Sequence, residues 1–497
     1  MKKIFVFLIG MCLYLPFAEA QTQTIPFARH YWLNPHGVNY TLAKSSYRVS
    51  TTEKWVVAAA RNEKEVTSKN TIALFGLDNL YNIERERVIG LPSTDPDERF
   101  YPNVEFEVHC ITQSFTDENY IICGSMRKDD EPQKGIVIAL DASFGVLNIQ
   151  EYDSVKTFYS AHTENDNYYV CGNTHDGRGV ILMNSVSSPN PLTTNICVTS
   201  IPWTYYKIKA KATHVPGVAA GIISVSGSSP DDVENKEMGV TVYNINGGFS
   251  LLASFKFSPF APRRIESKVV VSNYPNTLDM GLILSVSDNE AIHTYLFDNY
   301  FMTNMYASLG VTTAVNAVFE IPCDNGKLED MECGNDKLAW VGNYPQSAYY
   351  MTMNTPPSPA HHPFPSYVVT GFEFGYNPQP YTYYSLHKLQ FVKDDGFHAS
   401  GYYKHSDGDR TTFVVTPDDP SVFYNNRECV DRIRRDAHAW ETPNVTYLIT
   451  GSACYNISFL EHHVVSYGFC VTESCSIKNC GNDLQPIKSV KNNESNE

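Results

Sequence analysis

Helical signals are almost missing from this 497-residue sequence. Only "NNRECVDRIRRDAHAW" (425–440) has the composition for a helical turn or two, and no apolar face repeats at 3.6 residues. That pattern excludes helical bundles and points to strands. After residue 17 no apolar run reaches 18 residues, so no membrane-spanning helix is expected. Basic residues are scarce: 38 Lys and Arg stand against 54 Asp and Glu, a formal charge of −16. A chain this acidic is repelled by a phosphate backbone, which removes nucleic acid from the expected partners. The Gly-x-Ser-x-Gly elbow, HExxH and the Walker A sequence are absent as well, and with them the usual marks of a serine hydrolase, a zinc protease or a P-loop NTPase. Kelch and WD signatures are also missing.

What is present begins with a leader. Lys2 and Lys3 precede an apolar stretch from Ile4 to Phe17, and Ala18-Glu19-Ala20 fits a small-x-small cleavage site. Residues 1–20 therefore read as a secretory signal peptide, and the mature chain as exported: periplasmic, cell-surface or secreted. Met11 is bulky where a lipoprotein signal has a small residue before its Cys, so Cys12 is not expected to carry lipid. Cleavage leaves an odd number of the 12 cysteines in a compartment where disulfides persist. Cys323 and Cys333 flank a polar loop and form the best pair by position. Cys470, Cys475 and Cys480 crowd the C-terminus, where Cys454 or Cys429 can join them. Connectivity is not readable from spacing. No metal or cofactor is expected, because these cysteines lack the close Cys/His pairs of zinc sites.

One unit recurs along the chain. "YIICGSMRKDDEPQKGIVIALDASFG" (120–145) and "YYVCGNTHDGRGVILMNSVSS" (168–188) share a strand-like run, a Gly, a polar turn, a second apolar run and a closing Asp or Asn. Six further segments fit. Residues 54–78 lack the Gly but close on Asp78, and Ser287 replaces the Gly before Asp298. The others carry Gly227 with Asn244, Gly342 with Asn354, Gly401 with Asp418, and Gly451 with no closing residue. Turns rich in Asp, Asn, Gly or Pro precede most of them. The spacing averages about 55 residues, the length of one four-stranded sheet per repeat. These features predict an all-β chain, a single β-propeller of seven or eight blades, eight by hairpin count. Seven follows if the segment with Ser287 joins a neighbouring blade. The propeller is expected over 21–480, with 481–497 a polar, disordered tail.

The leader ending "AEAQ", the Tyr-rich strands and the "YIICGS…GIVIALDASFG" copies resemble exported β-propeller proteins of Bacteroidetes-type bacteria. The resemblance covers most of the chain and implies the fold. It implies no activity, since many such proteins have none assigned. Large secreted members often carry a C-terminal sorting domain that has no counterpart here.

Candidate chemistry is thin. Cys123 and Cys171 occupy one repeat position, filled elsewhere by Ser226, Val286, Val341, Ser400 and Thr450, which reads as packing. "THDGRG" (174–179) and "HSDGDR" (405–410) fail the spacing of calcium loops and Asp-boxes and read as hairpin turns. His109, His214, His387 and His438 precede their repeat's Gly by similar distances, and His162 lies somewhat closer. They could line a channel as acid–base groups or fill half-buried strand positions. The doublets His361-His362 and His462-His463 cannot readily chelate one ion, since strand neighbours face opposite ways. The segment 344–385 holds eight Pro and eight Tyr. Its Tyr349, Tyr350, Tyr367, Tyr376 and Tyr381 are the expected ligand-binding residues, offering flat faces to a sugar ring or peptide. The leading expectation is a non-enzymatic exported propeller that binds a glycan, peptide or envelope protein through loops on one face. Two others stand beside it: a glycan-active enzyme with carboxylates at the central channel, and a scaffold component of an envelope complex.

Overall fold

The computed structural model describes strands 28–32, 41–48 and 55–61 and most of the chain from 68 to 476. The longer stretches left out within that span are 186–193, 212–221, 229–237, 245–249, 258–266, 274–281, 298–314, 355–366, 376–382, 405–409, 416–429 and 441–447. Among the described residues every regular element is a β-strand.

The described strands fall into seven four-stranded antiparallel blades. Blade 1 runs from Thr41–Arg48 outward to Ile83–Gly90, blade 2 from Val104–Gln113 to Val146–Tyr152, and blade 3 from Val155–Glu164 to Thr194–Pro202. Blade 4 starts at Thr204–Lys211 and ends at Ser250–Phe257. Blade 5 spans Val270–Asn273 to Val315–Pro322, and blade 6 spans Lys327–Cys333 to Tyr367–Phe374. Blade 7 takes three strands, Tyr383–Val392, Gly396–Lys404 and Arg410–Val415, and completes itself with the N-terminal strand Ala28–Trp32. The innermost strand of each blade packs on that of the next, and blade 7 packs on blade 1, so the ring closes. This is a β-propeller.

Packing follows from period-2 alternation between blades buried on both faces. Along Trp55–Arg61, Val56, Ala58 and Ala60 join the core shared with blade 2, while Trp55, Val57 and Ala59 face the other way. Tyr120 and Ile122 pack toward blade 1, and Ile121 and Cys123 toward blade 3. Such strands read as unbroken apolar runs because both sides are interior. Each buried Val, Ile or Leu contributes about 1.5–3 kcal/mol.

The blade count corrects the eight read from hairpins. The segment with Ser287 keeps its own place in blade 5, paired Ser287↔Ile292. The eighth copy, around Gly451, is no blade. The described strands between 430 and 476 form a belt that adds a fifth, antiparallel strand outside the blades. Val430–Trp440 first pairs with Tyr367–Phe374 of blade 6, then with Val315–Pro322 of blade 5. Leu448–Ile449 caps blade 4, Ser452–Ile457 blade 3, Leu460–Glu461 blade 2, Val465–Tyr467 blade 1 and Thr472–Ser476 blade 7. The segment read as the one helical candidate, 425–440, thus contains the longest strand described. Its charged residues suit a strand laid across two exposed sheet edges.

A disulfide between Cys197 of blade 3 and Cys454 of the belt fastens this strap, with Cα atoms 4.1 Å apart. The expected Cys323–Cys333 bridge is not formed. Both are buried thiols, Cys323 donating to the Tyr344 hydroxyl and Cys333 to the Gly334 carbonyl. Cys333 lies on the innermost strand of blade 6, whereas Cys323 sits in the turn entering it. Cys470 and Cys480 lie outside the described residues, as does the side chain of Cys475. So does the tail 481–497.

Candidate functional site: the central channel

The recurring Gly marks a construction detail of the channel wall. Opposite it, the innermost strand carries a β-bulge in six blades, with Lys44, His109, Tyr159, Tyr206, Glu329 and His387 as the extra residues. The bulge drives a carbonyl onto the neighbouring strand. A Cβ on Gly124 would sit 1.8 Å from the Glu107 carbonyl oxygen, on Gly172 1.9 Å from that of Thr157, and on Gly401 1.8 Å from that of Ser385. Only Gly accepts that approach without movement. Blade 1 has Ala59 at this register position.

Two groups of the described bulge side chains make contacts between neighbouring blades. His109, Tyr159 and Tyr206 from blades 2, 3 and 4 make an arc, with ring centroids 5.2 Å and then 5.4 Å apart. All three are half-buried. Glu107 reaches His109 Nε2 at 3.4 Å. Across the axis Glu329 of blade 6 meets Lys268 from blade 5 and, at 3.3 Å, His387 Nδ1 from blade 7. Burial alone would raise the Glu329 carboxyl, but Lys268 and then His387 outweigh it and hold the group well below the usual range.

One residue further along the strands lie Cys110, Ser160, Lys207, Asp330 and Lys388. Three residues past the bulge lie His162, Lys209 and Glu332. Here an ionic cluster joins blades 4, 5, 6 and 7. Lys207 reaches from blade 4 past the short inner strand of blade 5 to blade 6. Its Nζ lies 2.5 Å from Asp330 Oδ1, 2.5 Å from the Met331 carbonyl and 2.8 Å from Glu332 Oε1. Lys209 Nζ shares Glu332 Oε1 at 2.5 Å, and Ser272 of blade 5 donates to Glu332 Oε2 at 3.3 Å. Asp330 Oδ2 accepts the Leu389 amide of blade 7 at 2.9 Å, with Lys388 at 3.8 Å. The Lys207 and Asp330 side chains are each only 3% exposed. Burial would raise the Glu332 carboxyl, but Lys207 and Lys209 pull it down. His162 is pushed down to about 3, by burial first and Lys209 second. It is therefore a neutral imidazole at ordinary pH.

Beside the cluster, Cys110 and Cys123 are direct cross-strand partners. The neighbouring Cys123 lowers the Cys110 pKa against the effect of burial, with Lys388 adding, while burial raises Cys123 and Cys171. Cys123 and Cys171 are fully buried packing residues, as their repeat position suggests. Among the described residues no group of three or more His, Cys, Asp or Glu is arranged to hold a metal ion.

The expected binding residues fare differently. Tyr349 and Tyr350 are 0% and 1% exposed, in the third strand of blade 6, and no ligand can stack on them. Alternation within "AYYMTMN" sends Tyr349 to the blade 5 side and Tyr350 to the blade 7 side. Tyr367 begins the outer strand of blade 6 and packs edge-on against Phe319. Tyr376 and Tyr381 lie outside the described residues. The histidines divide too. His109 and His387 share the bulge position, His162 lies three residues past it, His438 is on the belt, and His214 is not described. The Asp-Gly of "THDGRG" is a tight turn, with Gly177 at φ 78° and Asp176 bonded to Thr174 and Arg178.

No protein-family model matches the chain. No curated protein matches it either. Among solved structures it is similar to the Dos1 propeller, at 9% identity and a TM-score of 0.40, over 76% of this chain and 96% of that one. The assignment of the fold rests on the sheet order and the closed ring described above.

Proposed function

We propose that this protein is an exported, non-enzymatic propeller that binds a glycan, peptide or partner protein at one mouth of its central channel. The observation that carries this reading is the arc of His109, Tyr159 and Tyr206, three half-buried rings from adjacent blades at one level of the axis. Tilted aromatic faces with polar edges suit a sugar ring or a peptide side chain. The ionic cluster lies one to three residues further along the same inner strands. The leader at 1–20 and the Cys197–Cys454 bridge support export.

The glycan-active alternative is less well supported. A glycosidase needs one carboxyl kept protonated as general acid beside one that is ionised. Glu329 and Glu332 of the channel are both held ionised by lysines. Glu329, Asp330 and Glu332 also come from one strand and are already engaged with cations.

The test is a glycan and peptide array probed with the mature protein and with the Tyr159→Ala/Tyr206→Ala variant. Loss of two stacking faces should weaken binding at least about tenfold, since a tenfold change corresponds to ~1.4 kcal/mol. Equal binding by the two proteins would refute the arc as the site. Product release from an array glycan would restore the enzymatic reading.

A further inference from the structure

We propose that Lys207 and Asp330 condense into an intramolecular isopeptide bond across the channel, with Glu332 carrying the proton. The reacting groups are pre-positioned. Lys207 Nζ lies 2.5 Å from Asp330 Oδ1 and is fixed by two further acceptors, the Met331 carbonyl and Glu332 Oε1. Holding a nucleophile in contact with its electrophile replaces a bimolecular encounter by a unimolecular step.

The electrophile is polarised from both sides. The Leu389 amide donates to Oδ2 at 2.9 Å, and the Met331 amide donates to Oδ1 at 3.0 Å. Backbone donors on a carboxyl oxygen stabilise the charge that develops there when the carbon is attacked. Glu332 stands two residues after Asp330 on the same strand, hence on the same face. Its Oε1 is 2.8 Å from the amine, within reach for proton transfer. Both reacting side chains are 3% exposed, which keeps bulk water from the carbonyl carbon.

The step needs no co-reactant. The Lys207 ammonium gives one proton to Glu332, and the free amine attacks Cγ of Asp330. The Cγ–Oδ1 bond then breaks, and the oxygen leaves as water with the proton returned by Glu332 and a second from the nitrogen. One hydrogen remains on the amide nitrogen, and Oδ2 stays as the amide oxygen under the Leu389 N–H. A cation and an anion become one neutral group, so the desolvation that opposes a buried ion pair is relieved. The product is a covalent strut from blade 4 to blade 6.

The test is peptide mapping of the purified full chain by mass spectrometry, after reduction and trypsin digestion. The expected result is a branched peptide joining the segments that contain Lys207 and Asp330. Its mass is lower than that of the two separate peptides by one water, and no cleavage occurs after Lys207. Glu332→Gln should lose the branched peptide, and Lys207→Arg must lose it. Should either variant fail to fold, the wild-type digest alone decides. Complete cleavage after Lys207 in folded wild-type protein, with an unmodified Asp330 peptide, overturns the proposal. A full yield of the link in Glu332→Gln overturns the role given to that carboxylate. Neither readout depends on ligand binding, so failure here leaves the channel-mouth reading untouched.

Discussion

Replacing Gly401 by Ala tests the bulge account of the repeat most directly. The new Cβ would lie 1.8 Å from the Ser385 carbonyl oxygen and 2.8 Å from its carbon, where ordinary contact begins near 3.4 Å. Both atoms are backbone, in a strand paired along its length with Gly396–Lys404. No rotamer change can relieve the overlap. Either the bulge at His387 opens or the two strands separate, and His387 then loses its contact with Glu329. Overpacking of this kind costs about 3 kcal/mol or more. For a chain of this size the per-residue unfolding entropy converts that loss to a fall of roughly 3 °C in the melting midpoint. Differential scanning calorimetry at one fixed scan rate measures it. The matched control is Gly177→Ala, where the added Cβ meets nothing within 4 Å and the cost comes only from φ of 78°. That cost is about 1–2 kcal/mol. A Gly401→Ala protein melting with wild type, or above the Gly177→Ala control, would refute the reasoning. It would also mean that blade 7 accommodates a Cβ as blade 1 does with Ala59.

Three other perturbations have defined outcomes. Removing the belt fastening by Cys197→Ser/Cys454→Ser opens a loop of sequence separation 257, and chain entropy alone gives a loss of up to about 5 kcal/mol. Limited proteolysis should then cut near the belt first, and an unchanged digestion pattern would argue against the strap. Stability should fall on acidification. His162, Glu329 and Glu332 all have folded pKa values below their unfolded ones, so their contributions are complete above the unfolded pKa and are lost as pH drops toward the folded one. For His162 that window runs from 6.5 down to about 3, and His162→Gln should flatten the loss above the carboxylate range. Tyr349→Ala should cost about 3–5 kcal/mol as a large-to-small core change and leave ligand affinity unchanged in whatever fraction folds. A selective loss of binding with full stability would return Tyr349 to the surface.

The hairpin period was legible because alternation and turn residues are local. The Gly, the polar turn and the closing Asp or Asn of "YIICGSMRKDDEPQKGIVIALDASFG" mark the two middle strands of blade 2. The belt was not legible for the same reason: "TYLITGSACYNISFLEHHVVS" has a strand pattern, but alternation does not say which edge a strand joins. Tyr349 and Tyr350 misled through density. Eight Tyr and eight Pro give 344–385 the composition of a binding loop, while "AYYMTMN" inside it alternates as a strand should. The ionic cluster was hidden by distance along the chain, with Lys207 and Asp330 separated by 123 residues. A signal existed. Counting from each bulge puts Lys207, Asp330 and Lys388 at one register position, which the spacing of His109 and His387 before their glycines already hinted.

The belt also fixes how the molecule would respond to mechanical load. Tension applied beyond residue 476 would act first on the short ladder against Ala28–Trp32. That ladder holds the strand that shuts the ring, so the first thing disturbed is the closure itself. Peeling would continue through three residues on blade 1 and two on blade 2. It would then stop at the covalent anchor on blade 3, leaving the circuit over blades 4, 5 and 6 seated. Three of the seven blades are thus edged by a zipper and the other four by a clamp.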